Sequence, residues 1–169
     1  MTELSYGAIG ATAPACEVWT LAPAGFRRFE STTVIGQGGD VWAFAADELL
    51  RWGIKRRSGF HVNPSPVVTE GADYTITARL ALFDVHEPVR VITVVDEPHR
   101  CGFAYGTVHG HPVSGEEAFI VHRNNSGTVF LTMRSLTRPA PDGLWRAAFP
   151  ALLVAQRVVR HRYLRALVQ

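Results

Sequence analysis

Two hydrophobic periods alternate along this chain, and the places where one gives way to the other mark its elements. Between Asp73 and Leu82 the period is two: Tyr74, Ile76, Ala78, Leu80 and Leu82 alternate with Asp73, Thr75, Thr77, Arg79 and Ala81, which predicts a half-buried strand. Segment 89–95 is apolar on both sides and predicts a second strand, 101–108 a third and 118–123 a fourth. Asn124-Asn125-Ser126-Gly127 reads as a hairpin turn into a further strand over 128–136. Short loops between these runs predict an antiparallel meander.

Ahead of the meander, 25–35 is a strand candidate that Gly36-Gln37-Gly38-Gly39 interrupts, after an irregular lead-in from the N-terminus. The period then lengthens. Val41, Ala45, Leu49 and Trp52 fall one turn apart, with Asp40 as N-cap and Gly53 as stop, so a short helix is expected over 41–52. Helical spacing returns over 149–168, with Pro150 in the first turn, where its missing N–H costs little. This last helix is about 30 Å long at 1.5 Å per residue. Leu152, Gln156, Val159, Tyr163 and Ala166 or Leu167 line one face, and arginines fill most of the rest. The expected fold is α+β: a short helix after the first strand, then a curved antiparallel sheet gripping a long C-terminal helix.

The totals narrow this picture. A chain of 169 residues is expected to form one domain, 1–169, burying about 70% of its unfolded surface without staples. A net charge of +2 is too small to argue for nucleic acid. No apolar run approaches the roughly 18 residues of a membrane span, and Met1 to Tyr6 has no leader character, so a cytoplasmic protein is expected. Nothing in the pattern sets an oligomeric state. Of the two cysteines, Cys101 reads as a buried structural thiol, and together they form no metal or disulfide pattern.

Candidate chemistry gathers between Gly102 and Phe119. Gly102, Ala104 and Gly106 share one face of a strand, leaving room for a packed helix, another backbone or a cavity. Phe103 and Tyr105 share the other, and Tyr105 needs a partner if buried. His109 and His111 lack a third ligand, so no metal is expected, and Gly110-His111-Pro112 reads as a tight turn. Glu116 and Glu117 point to opposite faces of a strand. One is expected in solvent and the other inside, with Arg134 on the adjacent strand as its partner. Gln156, on the apolar face of the last helix, needs partners or a cavity. Gly36-Gln37-Gly38-Gly39-Asp40 fails the dinucleotide fingerprint and lacks the lysine of a phosphate loop, so no cofactor is expected.

The run Gly102-Phe103-Ala104-Tyr105-Gly106-Thr107, then Gly110-His111-Pro112, then Gly115-Glu116-Glu117 and Phe119, resembles the signature of the family catalogued as domain of unknown function 1990. Pro23-Ala24-Gly25-Phe26, Gly36 and Gly38, Trp52, Arg90-Val91, Ser135, Arg138-Pro139, Gln156 and Tyr163-Leu164 extend the resemblance over nearly the whole chain. The family usually has Leu-Pro where Val108-His109 stands and an acidic residue where Val113 stands. The resemblance implies a helix-grip layout of the START and pollen-allergen-like kind, in which many proteins hold apolar ligands between sheet and helix; it supplies no activity.

The expected function is therefore a module binding a small apolar or amphipathic molecule between sheet and C-terminal helix, in a pocket of about 300 Å³ or more. Tyr105, His111, Glu116, Glu117, Arg134 and Gln156 are the candidate ligand contacts. One alternative is an enzyme on the same cavity, with His111 or a desolvated glutamate as general base and Tyr105 as acid or oxyanion donor. Another is a protein–protein interaction domain using the basic helix face or a sheet edge.

Overall fold

The computed structural model describes residues 2–64, 67–80 and 82–168. Ala81 of the alternating strand, and Met1 and Gln169 at the ends of the expected domain, lie outside the described residues. The elements run β1 (Arg27–Gln37), α1 (Gly39–Leu49), α2 (Gly53–Arg57), β2 (Phe60–Asn63), β3 (Asp73–Arg79), β4 (Asp84–Glu97), β5 (Arg100–Thr107), β6 (Val113–Arg123), β7 (Thr128–Pro139), α3 (Gly143–Ala147) and α4 (Phe149–Arg165).

The strands form one seven-stranded antiparallel sheet in the order β1-β7-β6-β5-β4-β3-β2. β3 to β7 are the expected meander, which β2 extends at its edge; β1 pairs with β7, so α1 and α2 connect the two edges. Register shifts at Val34/Gly36 and Val91/Thr93 bend the long strands. Gly115 adds a third irregularity: its φ is +148°, and a Cβ there would lie 1.8 Å from the carbonyl oxygen of Leu136, so no other residue fits.

Two helix boundaries differ from expectation. Gly38, not Asp40, takes the N-cap position, and Asp40 sits in the first turn, where its charge complements the helix dipole. α1 ends at Leu49, and the chain reverses through Trp52 in the left-handed conformation, φ 59°. Gly53 does not stop a helix; it begins α2, where a Cβ would meet the Glu48 carbonyl oxygen at 2.5 Å. Trp52 is 1% exposed and packs its ring against Tyr74 and Phe103, each at 4.9 Å between centroids, and Tyr105 at 5.6 Å. This aromatic cluster fills the middle of the sheet's inner face. Phe119 and Tyr163 extend it, 5.3 Å apart and edge-on, which anchors α4 to β6.

α4 carries Pro150 in its first turn and turns Leu152, Gln156, Val159 and Tyr163 toward the sheet, as its spacing predicts. It ends at Arg165 rather than Val168, and the short α3 precedes it. The lead-in from residue 2 to 26 forms no regular element, yet Tyr6, Thr12 and Trp19 in it are buried. Among the described residues, no helix is long and apolar enough to cross a membrane.

Candidate functional site

Strand alternation sorts the candidate residues onto two faces of the sheet. β5 pairs with β6 so that Gly106 lies opposite Glu116 and Tyr105 opposite Glu117. The two glutamates do point opposite ways, but neither faces open water: Glu116 is 3% exposed and the Glu117 side chain 19%.

Glu116 points outward and is covered by the N-terminal segment. Its carboxylate accepts hydrogen bonds from Tyr6 Oη at 2.6 Å, Gly10 N at 2.8 Å, Thr12 N at 3.0 Å and the Thr12 hydroxyl. Burial and the adjacent carboxylate push the Tyr6 phenol well above its ordinary range, so it stays a donor. Arg134 joins this outer face instead of partnering the inward glutamate. Its register neighbours are Ala118 and Glu30, and it pairs with Glu30 at 2.7 Å. Its remaining N–H groups donate to the carbonyls of Thr12, Ala13, Cys16 and Glu17 at 2.6–3.3 Å. One acid and one base thus satisfy the backbone of a segment with no secondary structure of its own. The small-residue face of β5 belongs here too: a Cβ on Gly106 would lie 2.2 Å from Tyr6 Oη. A Cβ on Gly102 would instead lie 2.8 Å from the Phe119 carbonyl oxygen, so this face makes room for the lead-in at one end and the β6 backbone at the other.

The inner face holds the cavity. It has a volume of about 130 Å³ and lies between the sheet and α4. Lys55, the chain's single lysine among its basic residues, projects into it from α2 and is 3% exposed. Its Nζ donates to Glu117 Oε2 at 3.1 Å and to Tyr163 Oη at 2.6 Å, and Tyr105 Oη donates to the same Glu117 oxygen. The rings of Tyr163, Tyr105, Phe60 and Phe119 surround the ammonium at 4.4–5.7 Å. Burial opposes its charge, but Glu117, Tyr163 and Glu87 outweigh burial and hold Lys55 above its ordinary range. It is a fixed cation, not a nucleophilic amine.

Two other titratable groups line the same space. His111 sits in the turn before β6, its Nδ1 3.0 Å from the Val113 carbonyl oxygen and 3.1 Å from the Val113 nitrogen. Burial, reinforced by the charge of Lys55, lowers its pKa to about 3, so the ring is neutral. Glu87 points inward from β4, opposite Ile76 of β3. Burial raises its pKa to about 6; Lys55 works against that shift and Glu117 adds to it. At the other end, Gln156 Oε1 accepts from Arg160 Nη2 at 3.5 Å, and the same nitrogen donates to Ser135 Oγ at 2.9 Å.

Of the six candidates, Tyr105, His111, Glu117 and Gln156 have their side chains at this cavity. The carboxylate of Glu116 and the guanidinium of Arg134 are committed outside it. Lys55, Glu87, Arg160 and Tyr163 join them, with the hydroxyl side chains Thr107, Ser135 and Thr137. Among the described residues no group of three or more His, Cys, Asp or Glu side chains forms a metal site. His109 is exposed and His111 buried, so the pair does not share a face.

Comparison with known proteins agrees with the architecture. The solved structure of a hypothetical protein from Helicobacter pylori superposes with a TM-score of 0.59 at 10% identity, covering 85% of both chains. Ara h 8.0201 gives a TM-score of 0.51 at 9% identity over 85% of this chain and 98% of that one. Norcoclaurine synthase from Thalictrum flavum gives 0.54 at 12% identity over 85% and 86%. These likenesses show the helix-grip fold. In sequence, a UPF0548 protein of Deinococcus radiodurans is 42% identical over 80 residues, 47% of this chain. A UPF0548 protein of Arabidopsis thaliana is 25% identical over 122 residues, 69% of this chain. The aligned parts span 40% and 60% of the lengths of those two proteins. The model of the family described as a domain of unknown function, DUF1990, matches residues 5–166, and the chain belongs to that family.

Proposed function

We propose that the protein binds a small, single-ring-sized molecule in the cavity between the sheet and α4. The observation that carries this reading is the cavity's construction: a buried Lys55–Glu117 pair, two tyrosines and a second carboxylate converge on one space beneath a helix. Buried ionisable groups are costly, and perturbed titratable groups gathered in a cleft mark a candidate functional site. The cavity is smaller than the expected 300 Å³ because Trp52, Phe103 and Phe119 fill the middle of the inner face. At about 130 Å³ it is close to the roughly 150 Å³ that accommodates benzene in an engineered protein core. Among the fold neighbours, norcoclaurine synthase has been solved with dopamine and hydroxybenzaldehyde, both single-ring compounds.

Ligand-observed NMR with a library of single-ring compounds tests this reading. Hits are expected for the wild-type protein and lost in Val159→Phe, which places a ring in the cavity from α4. Hits that survive Val159→Phe, or none at all, defeat it.

One observation favours acid–base chemistry as a second reading. Glu87, with a pKa of about 6, is poised to exchange a proton near neutrality, beside a cation suited to stabilising a developing negative charge. His111, expected above as the general base, fits that role poorly because its basicity is depressed.

A further inference from the structure

The polar groups around the cavity differ in how well they are satisfied. Lys55, Glu117, Tyr105 and Tyr163 bond to one another. The Arg160 guanidinium stacks 4.0 Å over Phe29 and donates to Ser135 and Gln156, and its Nε is buried without a partner. Its Nη2 is already engaged by Ser135 and Gln156. Glu87 is in the opposite condition. Among the described residues its carboxylate has no hydrogen-bond donor and no basic side chain within ion-pair distance, although it lines the cavity. A part-buried carboxylate that lines the cavity and meets no donor of the protein is the open bonding position of this site.

We propose that Glu87 is the specificity-determining residue of the cavity and that the ligand is a small cationic amine carrying an apolar ring. The ammonium supplies the donors that Glu87 lacks, and the ring lies against Phe60 and Val159. Charge supports this choice over a carboxylic acid. Lys55 is already paired with Glu117, and the Arg160 guanidinium is held by Ser135 and Gln156, so a ligand ammonium gives Glu87 the counter-charge it lacks, where a carboxylate would be repelled by it. This rests on the binding function proposed above and names its ligand class.

The groups facing Glu87 fix how binding depends on pH. They are Lys55 from α2, Glu117 from β6, Tyr105 from β5, Tyr163 from α4 and His111 from the turn before β6. Lys55 stays charged, and the Tyr163 phenol and His111 stay neutral near neutral pH, while Glu87 titrates. Amine affinity then rises with pH through about 6 and levels off above it.

The test uses three probes of nearly equal shape, benzylamine, benzyl alcohol and benzoate, titrated calorimetrically into the wild-type protein and Glu87→Gln. Benzylamine is expected to bind about tenfold or more tighter than the other two, with that advantage abolished in Glu87→Gln. At pH 6, runs in buffers of different ionisation enthalpy are expected to show proton release. Circular dichroism of Glu87→Gln checks its fold, and Glu87→Asp, which keeps the charge, is expected to retain part of the preference. If benzyl alcohol or benzoate binds as well as benzylamine, or Glu87→Gln leaves benzylamine unaffected, the amine assignment falls and the binding function stands. If no probe binds at any pH, both fall.

Discussion

Lys55→Met removes the one ammonium of the cavity while keeping most of its volume. In the wild-type protein, Lys55 satisfies both Glu117 and Tyr163 from a position 3% exposed. The variant leaves Glu117 with Tyr105 as donor and leaves the Tyr163 hydroxyl with none. Breaking a buried pair costs about 3–5 kcal/mol. The partial exposure of Glu117 and its surviving donor argue for the lower end, so the expected loss is about 3 kcal/mol, or about 6–12 °C in Tm for a chain of this length. The double variant Lys55→Met/Glu117→Gln removes the stranded charge as well and is expected to recover part of the loss, because the pair is self-compensating rather than strongly stabilising. Urea unfolding followed by tryptophan fluorescence reads all four corners of this cycle. A single variant within about 0.5 kcal/mol of wild type, the range of an ordinary surface substitution, refutes the account of the pair. So does a double variant no more stable than Lys55→Met.

Three further outcomes follow from the two faces of the sheet. Glu116→Gln weakens the bonds to Tyr6, Gly10 and Thr12. It is expected to lower stability by about 1–3 kcal/mol and to speed proteolysis within the first 20 or so residues, leaving the cavity probes unaffected; equal cleavage rates contradict the clamp. Burial raises the Cys101 thiol to about 12, whereas Cys16 is exposed, so one thiol per chain should react promptly with Ellman's reagent and the second only on unfolding. His111, held neutral with a pKa of about 3, contributes stability that is fully present above about pH 6.5 and is lost as pH falls toward 3, because only the unfolded chain takes up the proton in that window. Its ring signals are expected to stay flat from pH 8 to 5, and the stability gap between wild type and His111→Asn to shrink below pH 6; a midpoint near 6.5 rules this out.

What the sequence displays of this molecule depends on distance along the chain. Strand alternation from Asp73 to Arg79, the Asn124–Gly127 hairpin and the amphipathic face of α4 are local patterns that stand where their periods place them, whereas the alternation read on through Leu82 fails because β3 ends at Arg79 and leaves Leu80 and Leu82 exposed. The opposite orientations of Glu116 and Glu117 follow from the same two-residue period. Partners are set by register, which no local pattern reveals: Arg134 lies opposite Glu30 because β1 returns to pair with β7 about a hundred residues later in the chain. The role of Gly106 is hidden for the same reason, since the group that needs its space is Tyr6. Lys55 is not legible because Gly53 has the character of a helix stop, whereas the left-handed Trp52 reverses the chain into α2. The signal available is its uniqueness, one lysine among 17 lysine and arginine residues. Glu87 lay hidden beside Pro88, which marked a strand boundary by composition but sits within β4, its carbonyl accepting from Val108 N at 3.0 Å.

Native mass spectrometry of the protein purified from its own cells tests the cavity reading most directly. One bound molecule per chain is expected, of single-ring size and carrying a basic nitrogen, retained by the wild-type protein and absent from Val159→Phe prepared in parallel. Bare polypeptide masses for both proteins, or the same adduct on both, contradict it.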